Sequence, residues 1–124
     1  MSQEAAEGEP VRRHVADQAR QCEKPVYGLF VARRLDPNTV ETFRHGVWYL
    51  SPTERTRLNI LPMSLEGFRQ LFARIVTAAE NPAEAVHQVL NRCTSESLRD
   101  DSDAPGWGRE IRMSLDELFD QFSG

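Results

Sequence analysis

Lysine is almost missing from this chain. Lys24 is the only one among 15 Lys and Arg residues, so arginine supplies nearly all the positive charge. Any chemistry that needs a lysine must use Lys24, and the residue two places before it is Cys22, so no acid-x-Lys triplet exists in the 124 residues. Cysteine is scarce as well. Cys22 and Cys93 lie far apart and neither has a CxxC partner, which argues against a disulfide scaffold or a zinc site and for reduced, buried thiols. No apolar run approaches the roughly 20 residues that a membrane-spanning helix needs. The segment Met1 to Pro10 is acidic and small rather than basic then apolar, so it does not read as a secretory signal, and a cytoplasmic location is expected. No serine sits in a Gly-x-Ser-x-Gly elbow, no internal repeat occurs, and no low-complexity tract interrupts the chain.

What is present suits one small domain, or part of a larger one, with 40% apolar residues. The net charge of -4 hides an asymmetry. Val11 to Ala79 holds eleven Arg/Lys against six Asp/Glu, whereas Ser95 to the end holds eight acids against three arginines. Arginine's planar fork suits phosphate contacts, although a genome that writes Arg wherever a surface cation will do explains the same count.

Periodicity organises the chain. Residues 1–8 read as a frayed N-terminus, with Gly8 marking a break, although an earlier helical segment running in through Gly8 stays open. From Glu9 to Arg20, Val11, Val15, Ala16 and Ala19 form one helical stripe, and Pro10 falls in a first turn that does not need its N–H. Val26 to Ala32 is a short apolar run, the pattern of a strand covered on both faces. Asp36-Pro37 opens a helix that Gly46 stops near His45. Val47 to Leu50 reads as a brief strand or packed loop, with Trp48 in the core, and Ser51 to Arg57 as polar connection. Leu58 to Met63 reads as a second strand, with Pro62 interrupting it late. Ser64 caps a helix with the stripe Leu65, Phe68, Leu71, Phe72, Ile75 and Val76, and Asn81-Pro82 opens another that runs into the nineties. Asp100 to Gly108 reads as a mobile acidic loop with Trp107 as an exposed anchor, and Ser114 to Glu117 as the capping box of a last helix ending near Phe122.

The segments EGEPVRRH (7–14), KPVYGLFVA (24–32), DPNTVETF (36–43) and LNILPMSLEGFRQLF (58–72) resemble, in order, the C-terminal half of the nuclease domain in AlwI-like type II (type IIS) restriction endonucleases, related more distantly to the FokI-type cleavage domain. The resemblance spans about Glu7 to Phe122, and its first two segments are the specific ones. It implies an α/β class, a partial restriction-endonuclease-like sheet flanked by helices, with residues 9–124 forming the C-terminal half of a PD-(D/E)xK domain. In the complete family, an acid and an acid-x-Lys triplet on neighbouring strands hold Mg²⁺ for double-stranded DNA cleavage. That triplet precedes the helix matching EGEPVRRH. The resemblance therefore implies a chain without the metal-binding half, with no cofactor or catalytic residue of its own.

What the resemblance leaves is a DNA-facing surface. Gln3, Arg12, Arg13 and His14 occupy or border the helix that would lie beside the cleft, and Gln3 sits four residues before Glu7, where the family places a glutamine. Arg12 and Arg13 are read either as a solvated helix face or as phosphate contacts. His14 has no nearby nucleophile or metal to act on as a base, and His45 and His87 read as surface or boundary histidines. Asp100, Asp101 and Asp103 lack the glycine and distal glutamate of a calcium loop and read as solvated. Three readings remain: a nuclease portion that is inactive alone, a non-catalytic protein-interaction or DNA-binding module, and an α/β domain of accidental similarity. A half sheet would expose an edge, so a homodimer or association with a catalytic half is expected.

Overall fold

The computed structural model describes residues 2–123. A π-helical stretch, Glu4–Gly8, runs without a break into α1 (Glu9–Gln21), and β1 (Tyr27–Ala32) follows. Then come α2 (Pro37–His45), a hairpin of β2 (Val47–Tyr49) and β3 (Arg55–Arg57), and β4 (Asn59–Ser64). Four helices complete the chain: α3 (Leu65–Ala78), α4 (Pro82–Cys93), α5 (Glu96–Asp100) and α6 (Ala104–Ser123). The expected frayed N-terminus is thus an ordered helical entry from Glu4 onward.

β1 and β4 pair in parallel, in register from Tyr27 opposite Asn59 to Ala32 opposite Ser64. Because side chains alternate along a strand, the two faces meet different helices. On one face Gly28 lies under Val15 of α1, where a Cβ would stand 2.7 Å from Val15 Cγ2, and Phe30 packs on Phe43 of α2 with centroids 5.0 Å apart. On the other, Leu29 and Leu61 line a groove of about 210 Å³ with Phe68, Leu71 and Val89 of α3 and α4. The architecture is mixed α/β, with two-stranded sheets flanked by helices.

Local chemistry sets most boundaries. Ser64 Oγ accepts from Gly67 N at 3.0 Å to cap α3, and Asn81 Oδ1 accepts from Glu84 N at 3.2 Å to cap α4. α2 ends on Gly46 at φ 67°, whose N–H donates to Thr42 O at 2.9 Å. Pro62 sits inside β4, which has a single strand neighbour among the described residues and can do without one N–H on its open side.

Several expectations change. β1 is not covered on both faces: Leu29 is 39% and Val31 37% exposed, because β1 pairs with β4 alone. The polar connection 51–57 contributes β3, with Trp48 opposite Thr56. Only part of the α3 stripe is covered: Leu71 and Ile75 are buried, while Leu65, Phe72 and Val76 are exposed. The expected loop around Trp107 is the first turn of α6. Asp103 Oδ1 accepts from Gly106 N at 2.7 Å, Pro105 falls where no N–H is required, and Trp107 is fully buried with its indole N–H donating to Cys93 O at 2.9 Å. Ser114 lies within that helix, buried against the core, because Ala104, Trp107, Ile111 and Leu118 form one apolar stripe that α2, α3 and α4 cover. Cys93 is buried as expected and Cys22 is exposed, and both are free thiols.

Candidate functional site

Gln3, Arg12, Arg13 and His14 are all carried by the N-terminal helix, but they do different things. Gln3 spends its amide on backbone: Nε2 donates to Arg34 O and Oε1 accepts from Asp36 N, each at 2.7 Å. It pins the turn between β1 and α2. Arg12 pairs with Glu4 and lies over the Trp48 ring, 5.3 Å from its centroid. Gly8 makes that pair feasible, because any Cβ there would overlap the Glu4 carboxylate. The pair is mostly buried, and Glu4 Oε2 and Arg12 Nε have no hydrogen-bond partner among the described residues. Arg20 adds a second tie from α1 to the hairpin, donating to Leu50 O at 2.7 Å. Arg12 is therefore a strut of the fold. Arg13 is 62% exposed and paired only with Glu9 on its own helix, a contact of little strength in water. His14 is exposed.

Of these residues, Gln3 and His14 line grooves along the unpaired edge of β1, and Arg12 and Arg13 do not. A groove of about 870 Å³, lined by Gln3, Val11, Leu29, Val31, Arg33 and Arg34, follows the C-terminal end of that edge. A second, of about 450 Å³, takes in His14, Gln18, Val26 and Tyr27 and shares Val11 and Leu29 with the first. Together they run along β1 beside the apolar side chains of Val11, Leu29 and Val31, with the exposed pair Arg33 and Arg34 at one end. Arg33 and Arg34 escaped the sequence reading, although two arginines directly after an apolar strand were a visible signal.

The residues present do not fit a divalent cation. Asp100 is held by Arg57 at 2.7 and 3.2 Å, which draws its carboxyl below the usual range, and Asp103 caps α6. Among the described residues no group of three His, Cys, Asp or Glu side chains converges. No described helix is long and apolar enough to cross a membrane.

An open-edged α/β unit with an arginine-bearing helix along its free strand is the class that these observations define. The family model for AlwI restriction endonuclease matches residues 1–71, and the chain belongs to that family. The match covers the N-terminal helix, both parallel strands, α2, the hairpin and the first half of α3, a shorter span than the resemblance read to Phe122. No curated protein and no solved structure matches the chain.

Proposed function

We propose that this chain forms the rear portion of a PD-(D/E)xK nuclease domain for Mg²⁺-dependent cleavage of double-stranded DNA in the cytoplasm, and that it does not cut DNA alone. The observation that carries this reading is the single lysine: Lys24 follows Cys22 at the position where the triplet needs an acid. The metal ligands would come from strands outside these residues, laid along the open edge of β1. An unpaired strand edge beside exposed Leu29 and Val31 is a template for such addition.

DNA would pass the α1 side of that edge. Arg13 and His14 are free to meet phosphates there, while Gln3 and Arg12 hold the wall behind them. Such contacts give affinity that falls steeply with salt and carries no sequence selectivity. Plasmid incubated with the purified chain and Mg²⁺ should stay supercoiled. Nicking above the level of a mock purification, lost in Arg13→Ala, would overturn the reading.

A second reading, a non-catalytic interaction module that dimerises or docks a partner, is favoured by the exposed Phe72, Val76 and Val86 on α3 and α4. Light scattering separates that reading from a chain with no tendency to associate, which would elute as a monomer at all concentrations.

A further inference from the structure

Where the parallel strands begin, a cleft of about 520 Å³ opens between Tyr27 and Asn59, the end of α4 and the start of α5. It lies at the opposite end of the strands from Arg33 and Arg34. Its deepest cation is Arg99, which is 1% exposed. Among the described residues no carboxylate is hydrogen-bonded to Arg99 and its Nε has no partner: Nη1 donates to Leu58 O at 2.8 Å and Nη2 to Asn59 Oδ1 at 2.9 Å. Burial, and then the like charge of Arg57, lowers its pKa to about 10, so it remains cationic at neutral pH. Its hydrogen bonds go only to dipoles, and although the charges of Asp100 and Glu96 partly offset it through space, a buried cation so placed leaves a positive field on the cleft that it lines.

The other groups on the cleft wall are left with donors. A guanidinium has no acceptor, so Asn59 must turn its oxygen to Arg99 and its NH₂ away. Asn91 gives its oxygen to the Tyr27 hydroxyl at 3.0 Å, which frees a second NH₂. Ser95 precedes α5 without making a side-chain cap. Arg92 holds Glu117 through one nitrogen only, and that carboxylate is 59% exposed, so the pair is weak enough to redirect. Opposing these, Glu96 is the one carboxylate on the wall, exposed at its rim, while Asp100 holds Arg57 from behind.

We propose that this cleft binds the phosphate group of a phosphate ester, with Asn59, Asn91, Ser95 and Arg92 donating to its oxygens and Arg99 supplying a fixed charge behind them. The phosphate belongs either to a small ester or to a nucleic-acid backbone, and the chemistry of recognition is the same. This site shares only Tyr27 with the grooves along β1 and does not depend on whether the chain cuts DNA.

Nitrogen-15 NMR of the intact chain reads the site directly. Titration with inorganic phosphate, against chloride at equal ionic strength, should shift the side-chain amides of Asn59 and Asn91 saturably. Arg92→Gln should weaken that binding about tenfold, the loss of one charge-assisted hydrogen bond, with the rest of the spectrum retained. Asn91→Asp places a carboxylate on the wall and should abolish it. A short DNA duplex at matched phosphate concentration identifies the source: the same shifts, displaced by inorganic phosphate, mean a backbone phosphate, and their absence means a small ester. No saturable shift at Asn59 and Asn91 with inorganic phosphate, or binding unchanged in both variants, would overturn the proposal. Should a variant fail to fold, the wild-type titration still decides.

Discussion

Gly46→Ala should be among the most destabilising single-methyl additions to this chain, and three contacts explain why. Gly46 adopts φ 67° at the end of α2, and a Cβ there would stand 2.7 Å from Leu58 O, 3.1 Å from Arg99 Nη1 and 3.3 Å from Phe43 O. An alanine in the left-handed region loses about 1–2 kcal/mol, of which about 0.4–1 kcal/mol returns because the unfolded chain becomes stiffer. The steric part is larger. Leu58 O cannot retreat freely, because it accepts from buried Arg99 at 2.8 Å while Leu58 N donates to Gly46 O at 2.7 Å. Loosening a bond from a charged donor costs about 1.5–3 kcal/mol, which brings the expected loss to about 2–4 kcal/mol. For a domain of this size that is a fall in Tm of about 10 °C. Urea unfolding followed by tryptophan fluorescence measures it. Gly46→Asn sharpens the test, since asparagine tolerates the left-handed region but keeps the Cβ. If the Leu58 contact dominates, Asn should be no milder than Ala. A loss below about 0.5 kcal/mol for Ala, or near-wild-type stability for Asn, would refute the steric argument.

Trp107→Phe should destabilise the chain by about 1–3 kcal/mol in the same assay, since it keeps most of the ring but orphans the buried Cys93 carbonyl. The two thiols should react at very different rates with an aromatic disulfide reagent: exposed Cys22 at once, and Cys93, whose pKa burial pushes up to about 12, only as fast as the fold opens. Equal fast labelling of both would contradict the packing of α4 on α6. The hydrogen bond from Arg57 lowers the Asp100 pKa below that of the unfolded chain, so its stabilisation is present above about pH 3.9 and lost as pH falls through the lowered folded value. Urea midpoints of wild type and Asp100→Asn should therefore differ near neutral pH and converge in acid, and a gap that widens on acidification would reverse the sign.

Much of the fold was legible because it rests on short-range chemistry. Asp36, Ser64 and Asn81 each cap the helix assigned to them, and Gly46 ends α2 in the one positive-φ conformation among the described residues. Both parallel strands fall on the apolar runs that marked them. The misreadings have a common cause. Gly106, Gly108 and Pro105 look like loop residues, and Ser114 to Glu117 looks like a fresh helix start, because local propensity is all that a short window contains. Burial of Trp107 and Ile111 against three other helices outweighs that propensity, and α6 begins ten residues earlier than the capping box suggested.

The candidate site divides along the same line. The arginines of α1, the solitary Lys24 and the missing acid-x-Lys triplet are facts of composition and order, and they carry the family resemblance and its limits without any tertiary structure. Which arginine is free is a matter of assembly. Arg12 and Arg13 are neighbours of one chemistry, yet a helix turns each about 100° from the last. One meets Glu4 and Trp48 across the fold, and the other meets only Glu9 and solvent. Arg99 makes the point most strongly: nothing in its flanking residues marks it as buried. Its place under Leu58 and Asn59, 41 and 40 residues away in the chain, arises from the packing of α5 near the start of β4, a long-range juxtaposition that no local pattern encodes.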